Sequence, residues 1–135
     1  MTTETGTPAE TRPQTPYERL GGRETLRGIV DRFYDLMDSD PAYAELRAMH
    51  APDLAPMRES LTGFFVGWSG GPRDWFAQGK CVMSLHGPLA VTAGTAQQWM
   101  DAMRRAIDET VGTRDPELAE TMATVLQQMA AGMAR

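Results

Sequence analysis

The amino-acid sequence predicts an all-α fold, on three observations. Apolar residues recur at spacings of three and four along most of the chain, the period that gathers side chains on one face of a helix. Helix start and stop signals punctuate these runs at Asp40-Pro41, Gly70-Gly71-Pro72 and Asp115-Pro116. No stretch of useful length alternates apolar and polar residues as a half-buried strand does.

Leu26, Ile29, Val30, Phe33, Tyr34 and Met37 mark the first long helix, from about Thr25 to Asp38, roughly 20 Å long. Asp40 then offers a side-chain acceptor at an N-cap, and Pro41 a preset φ at the first helical position. A short helix runs from there to about His50, where Pro52 interrupts it. The next apolar stripe reads Leu54, Met57, Leu61, Phe64, Phe65 and Trp68, and stops at Gly70-Gly71-Pro72. From Arg73 to Thr92 the pattern is irregular and reads as loop plus one short helix, with apolar pieces at Trp75-Phe76 and Val82 to Leu85. Thr95 with Gln98 has the form of a capping box, followed by Trp99, Met100, Met103, Ala106, Ile107 and Val111 on one face. Asp115-Pro116 opens the last helix, with Leu118, Met122, Val125, Leu126, Met129 and Met133 expected on its inner side.

The 135 residues suffice for one domain, expected over residues 17–135. Residues 1–16 are rich in Thr, Pro, Glu and Gln and hold too little apolar surface to offset their ordering entropy, so a disordered tail is expected there. They have neither the basic start nor the apolar middle of a secretory signal. A net charge of −5 gives no electrostatic reason for nucleic acid or an anionic membrane as partner. No run approaches the ~20 apolar residues of a membrane span. One cysteine, Cys81, forms no intramolecular disulfide, and a reducing, cytoplasmic location is expected.

The two histidines, His50 and His86, both stand at breaks in the helical pattern, before Ala51-Pro52 and before Gly87-Pro88. Such a ring either caps a helix end favourably or aims across a cavity, and spacing alone leaves both readings open. A structural zinc site wants four ligands in paired spacings, which one Cys and two scattered His do not supply. A Cys81–His86 nucleophile pair lacks an evident orienting group. Phe33, Tyr34, Phe64, Phe65 and Trp99 fall on apolar faces of three helices, where plain core is the ordinary reading. Tyr34 and Trp99 nevertheless carry polar handles into those faces, and buried O–H and N–H groups need partners.

Taken in order, these residues resemble the truncated haemoglobins, and among them the second group. The resemblance rests on Tyr17-Glu18-Arg19-Leu20-Gly21-Gly22, on Phe33-Tyr34, on Leu46 to His50, on Leu61, Phe64 and Phe65 with Gly70-Gly71-Pro72, and on His86 with Trp99 thirteen residues later. It covers about Tyr17 to Met133. It implies a truncated globin fold, a two-over-two helical sandwich around haem b, with His86 as the iron ligand. Tyr34, His50 and Trp99 would then face the bound gas, and Leu61, Phe64, Phe65 and Val91 would line the haem.

The run Gly79 to His86 departs from the family's arginine-bearing pattern, which leaves Lys80 as the nearest cation for the propionates. Met57 stands where relatives have a small residue at the distal gate. The implied ligands are the diatomic gases O2, CO and NO. The implied functions are reversible gas binding or, alternatively, redox turnover as a nitric oxide dioxygenase or peroxidase-like enzyme with an unidentified reductase. Monomer and homodimer both stay open.

Overall fold

A computed structural model of the chain describes residues 14–78 and 91–133. Every regular element among the described residues is helical, as the sequence predicts. Helix α1 (Pro16–Leu20) is far too short to persist alone, and local chemistry with tertiary contacts holds it. Thr15 and Glu18 form a capping box, Pro16 occupies the first turn, and Gly21 closes the helix at φ 105°. The Tyr17 N–H donates to the Ser69 carbonyl at 2.8 Å. Arg19 makes a two-pronged contact with Asp115, at 2.7 and 2.8 Å, and Arg114 donates to the Leu20 carbonyl. Helix α1 thereby ties two distant turns together.

The Gly70-Gly71 stop has a tertiary purpose as well as a local one. Gly70 sits at φ 109°, where a side chain is strained. A Cβ on Gly71 would lie 2.7 Å from the Tyr17 ring. Gly71→Ala is therefore expected to cost about 1–3 kcal/mol of unfolding free energy through overpacking. Gly28, exposed in mid-helix with nothing within 4 Å of an added Cβ, gives the opposite sign: Gly28→Ala should stabilise by ~0.5–1 kcal/mol. Urea unfolding of both variants checks the pair, and destabilisation by both would refute the close-approach explanation.

Helix α2 (Gly22–Ser39) starts earlier than the periodicity suggests, because Gly21 turns the chain directly out of α1. It is the central element, packed on both α4 and α6, and it buries Leu26, Ile29, Val30, Phe33, Tyr34 and Met37. Asp40 caps the next turn, accepting from the Ala42 N–H at 3.0 Å. That turn, Pro41–Tyr43, is a tight 3-10 turn before α3 (Ala44–Ala48). Tyr43 is anchored there: its hydroxyl donates to Asp101 at 2.8 Å and accepts from Arg105 at 3.0 Å. Helix α3 stops two residues short of His50, and Arg47 donates to the carbonyls of Ala51 and Pro52 just beyond it.

Helix α4 (Ala55–Trp68) buries Phe64, Phe65 and Val66. Its expected stripe fails at Met57, which is 37% exposed. The neighbouring Arg58 takes the place facing α2, where it pairs with Asp31 and Asp35, and one residue's rotation turns Met57 outward. Helix α5 (Asp74–Ala77) falls on the first of the two apolar pieces in the stretch read as loop plus one short helix. It beds on two glycines one turn apart on α4: a Cβ on Gly63 would lie 3.1 Å from the Trp75 ring, and one on Gly67 would lie 2.6 Å from the Phe76 ring.

Helix α6 (Ala93–Thr110) begins with a capping box formed by Thr92 and Thr95, three residues before the expected Thr95–Gln98 box. Gln98 is engaged elsewhere, accepting from the Leu46 N–H at 3.1 Å and donating to Glu45 at 2.9 Å. Helix α7 (Pro116–Met133) starts at Asp115, which accepts from the Leu118 N–H. Leu118, Ala119, Met122, Ala123 and Leu126 are buried along it, and Val125 lies just beyond the edge of that face, 37% exposed. The architecture is two helix pairs, α2 with α4 and α6 with α7, joined where α2 meets α6. No helix of the described residues is long and apolar enough to cross a membrane.

Candidate functional site

The fold brings Tyr34, His50 and Trp99 toward one another from three elements. Tyr34 lies on the buried face of α2, His50 on the turn after α3, and Trp99 on α6. The Tyr34 and His50 rings meet edge to face, with centroids 5.9 Å apart. Phe33 links the other two, at 4.9 Å from the Tyr34 ring and 5.3 Å from Trp99. Phe33 is wholly buried and acts as the common wall of the group. Periodicity places Phe33 on the apolar face of α2 but does not reveal that role.

Tyr34 is only 3% exposed, yet its hydroxyl makes no hydrogen bond among the described residues. The half-buried Trp99 indole N–H likewise has no partner there. A buried donor left unsatisfied costs about 1–3 kcal/mol, so the Tyr34 hydroxyl calls for an acceptor from beyond the described residues. Burial pushes the Tyr34 phenol well above its ordinary pKa, against an opposing pull from the Arg58 charge. The phenol therefore stays a neutral O–H donor at physiological pH.

His50 is oriented by its own backbone. Its Nδ1 lies 2.9 Å from the Leu46 carbonyl, and a carbonyl only accepts, so Nδ1 carries the proton. Leu46 is itself pinned, since its N–H donates to Gln98 on α6. Gln98 thus sets the α3 turn that carries His50, a role hidden in the sequence by its resemblance to a cap residue.

The other predicted lining residues divide. Leu61 is half-buried against the core, and Val91, just before the Thr92 cap, is 9% exposed. Phe64 and Phe65 are buried in a second aromatic group with Trp68, Trp75 and Phe76, where Phe64 meets Trp75 at 5.4 Å and Phe76 at 5.8 Å. Trp75 also donates to the Ser60 hydroxyl at 3.0 Å. His86, Lys80 and Cys81 lie outside the described residues.

Comparison with known proteins agrees with the helical fold. The bacterial-like globin family matches residues 15–135. A cold-adapted truncated haemoglobin of the Antarctic marine bacterium Pseudoalteromonas haloplanktis superposes with a TM-score of 0.85 at 32% identity, covering 90% of this chain and 98% of that one. A group II 2-on-2 haemoglobin of the plant pathogen Agrobacterium tumefaciens gives a TM-score of 0.87 at 29% identity, covering 93% and 97%. A group 1 truncated haemoglobin of Chlamydomonas moewusii is 27% identical over 124 residues, which span 88% of this chain and 69% of that protein. The match across nearly the whole chain, on a two-pair helical core, makes this protein a member of the bacterial-like globin family, among the truncated haemoglobins of the second group.

Proposed function

We propose that this chain binds haem b through His86 and holds a diatomic gas, dioxygen foremost, beneath Tyr34 and Trp99. The observation that carries the reading is the pair of donors without a partner among the described residues, the buried Tyr34 hydroxyl and the half-buried Trp99 indole N–H, on one apolar wall. Haem suits that wall: it is flat and apolar, and the gas it carries provides the acceptor the two donors lack. When bound, the haem supplies an iron that takes up a diatomic gas and polarises it toward negative charge. His86 would furnish the ligand nitrogen, and Leu61, Phe64, Phe65 and Val91 the apolar lining that excludes water. Tyr34 and Trp99 would donate to the polarised gas, and charge-assisted donation of this kind is about twice as strong as a neutral hydrogen bond.

His50, with Nδ1 committed to Leu46 and its ring edge-on to Tyr34, would contribute bulk beside the gas. The absorption spectrum of the purified chain after haem addition tests the reading. A Soret band that shifts on reduction and again on carbon monoxide is the expected result. Failure to take up haem stoichiometrically would reject it. Steady turnover of nitric oxide or peroxide with a defined reductant would mark the same site as enzymatic.

A further inference from the structure

We propose that Arg58 is a positioning residue for Tyr34: clamped between Asp31 and Asp35, it holds the phenol ring from the α4 side and fixes where its oxygen sits. The inference rests on the gas-binding reading of Tyr34. Arg58 belongs to no motif in the sequence, yet its guanidinium lies 5.7 Å from the centroid of the Tyr34 ring. One arm, Nη1, donates to the Asp31 carboxylate at 3.0 Å and to the Asp31 backbone carbonyl at 3.1 Å. The other, Nη2, donates to Asp35 at 2.8 Å. Asp31 and Asp35 stand one turn apart on the same face of α2, next to Tyr34, so the fork is held along that turn.

Two features separate this clamp from an ordinary surface ion pair, which contributes little. The Arg58 side chain is only 19% exposed, although both carboxylates reach solvent. The phenol also has no hydrogen bond among the described residues, so what packs on the ring decides where its oxygen sits. Phe33 and His50 contribute ring edges at interplanar angles of 66° and 79°, and Arg58 is the contact from α4. Arg27 also pairs with Asp31, and Arg23 and Arg27 with Glu59, so the surrounding charges are largely matched. Burial draws the Arg58 guanidinium down, but hydrogen bonds to Asp35 and Asp31 outweigh it and keep the group charged.

The test uses the full, haem-loaded chain with two readouts, the infrared stretching band of bound carbon monoxide and the dioxygen dissociation rate. Arg58→Met keeps length and apolar contact but loses the fork. It should broaden or raise the carbon monoxide band, as Tyr34→Phe should, and speed dioxygen release about three- to tenfold. Asp35→Ala, an exposed change that removes one arm, should shift both readouts in the same direction by less. Arg58→Lys keeps the charge without the fork and should recover at most half of the effect. In the double variant Tyr34→Phe/Arg58→Met, release should be no faster than in Tyr34→Phe alone. An Arg58→Met chain with wild-type band and rate, beside an altered Tyr34→Phe, would overturn the clamp and leave the gas-binding reading intact. Full rescue by Lys, or independent multiplication of rates in the double variant, would overturn it too. A Tyr34→Phe chain indistinguishable from wild type would reject Tyr34's role in gas binding, and this inference with it.

Discussion

His86→Ala is expected to abolish stable haem retention. The chain has two histidines, and His50 has its Nδ1 bound to the Leu46 carbonyl and its ring packed edge-on against Tyr34. On the proposed reading the chain holds no second imidazole ready to replace His86. Mutating the partners of a metal-ligating histidine already costs on the order of 10- to 100-fold in affinity, so loss of the ligand itself should exceed that. Haem content after purification and titration of the apoprotein with haem measure the effect. Added imidazole should restore part of the absorption by filling the space the side chain vacates. A five-coordinate ferrous spectrum in His86→Ala without imidazole would overturn the assignment.

Tyr34→Phe and Trp99→Phe each remove one donor, and the first nearly conserves shape. A hydrogen bond to a charged acceptor contributes about 1.5–3 kcal/mol, and about 1.4 kcal/mol is tenfold in an equilibrium constant. Dioxygen release should therefore accelerate by roughly ten- to a hundredfold in either variant, with association little altered. Removing Tyr34's hydroxyl also removes an unsatisfied buried donor from the haem-free chain, because that hydroxyl has no partner among the described residues. The apoprotein of Tyr34→Phe should accordingly be no less stable than wild type, even as the gas complex weakens. The double variant should fall short of the product of the single effects, since both donors share one acceptor. Carbon monoxide takes on less charge and should respond less. Stopped-flow release of both gases measures this, and equal acceleration of the two would mean that the residues act by packing alone.

What the sequence determined by itself is whatever depends on a few adjacent residues. The caps at Asp40 and Asp115 are of this kind, because a carboxylate reaches an N–H two or three positions on whatever else the chain does. The apolar faces of α2 and α6 are equally local, and they placed Tyr34 and Trp99 inward.

Tertiary structure decided every feature in which two local options were equivalent. Thr92–Thr95 and Thr95–Gln98 are both acceptable starts for α6. The first prevails where Gln98 bonds to Leu46 on another helix. Met57 and Arg58 both suit the first turn of α4, but only Arg58 finds the Asp31 and Asp35 carboxylates across from it, so the apolar residue faces solvent and the charged one goes in. That the Tyr34 hydroxyl finds no partner among the described residues belongs here as well. A pattern of spacings shows that a donor is buried, but whether an acceptor lies within about 3 Å of it is a question of packing between elements far apart in the chain.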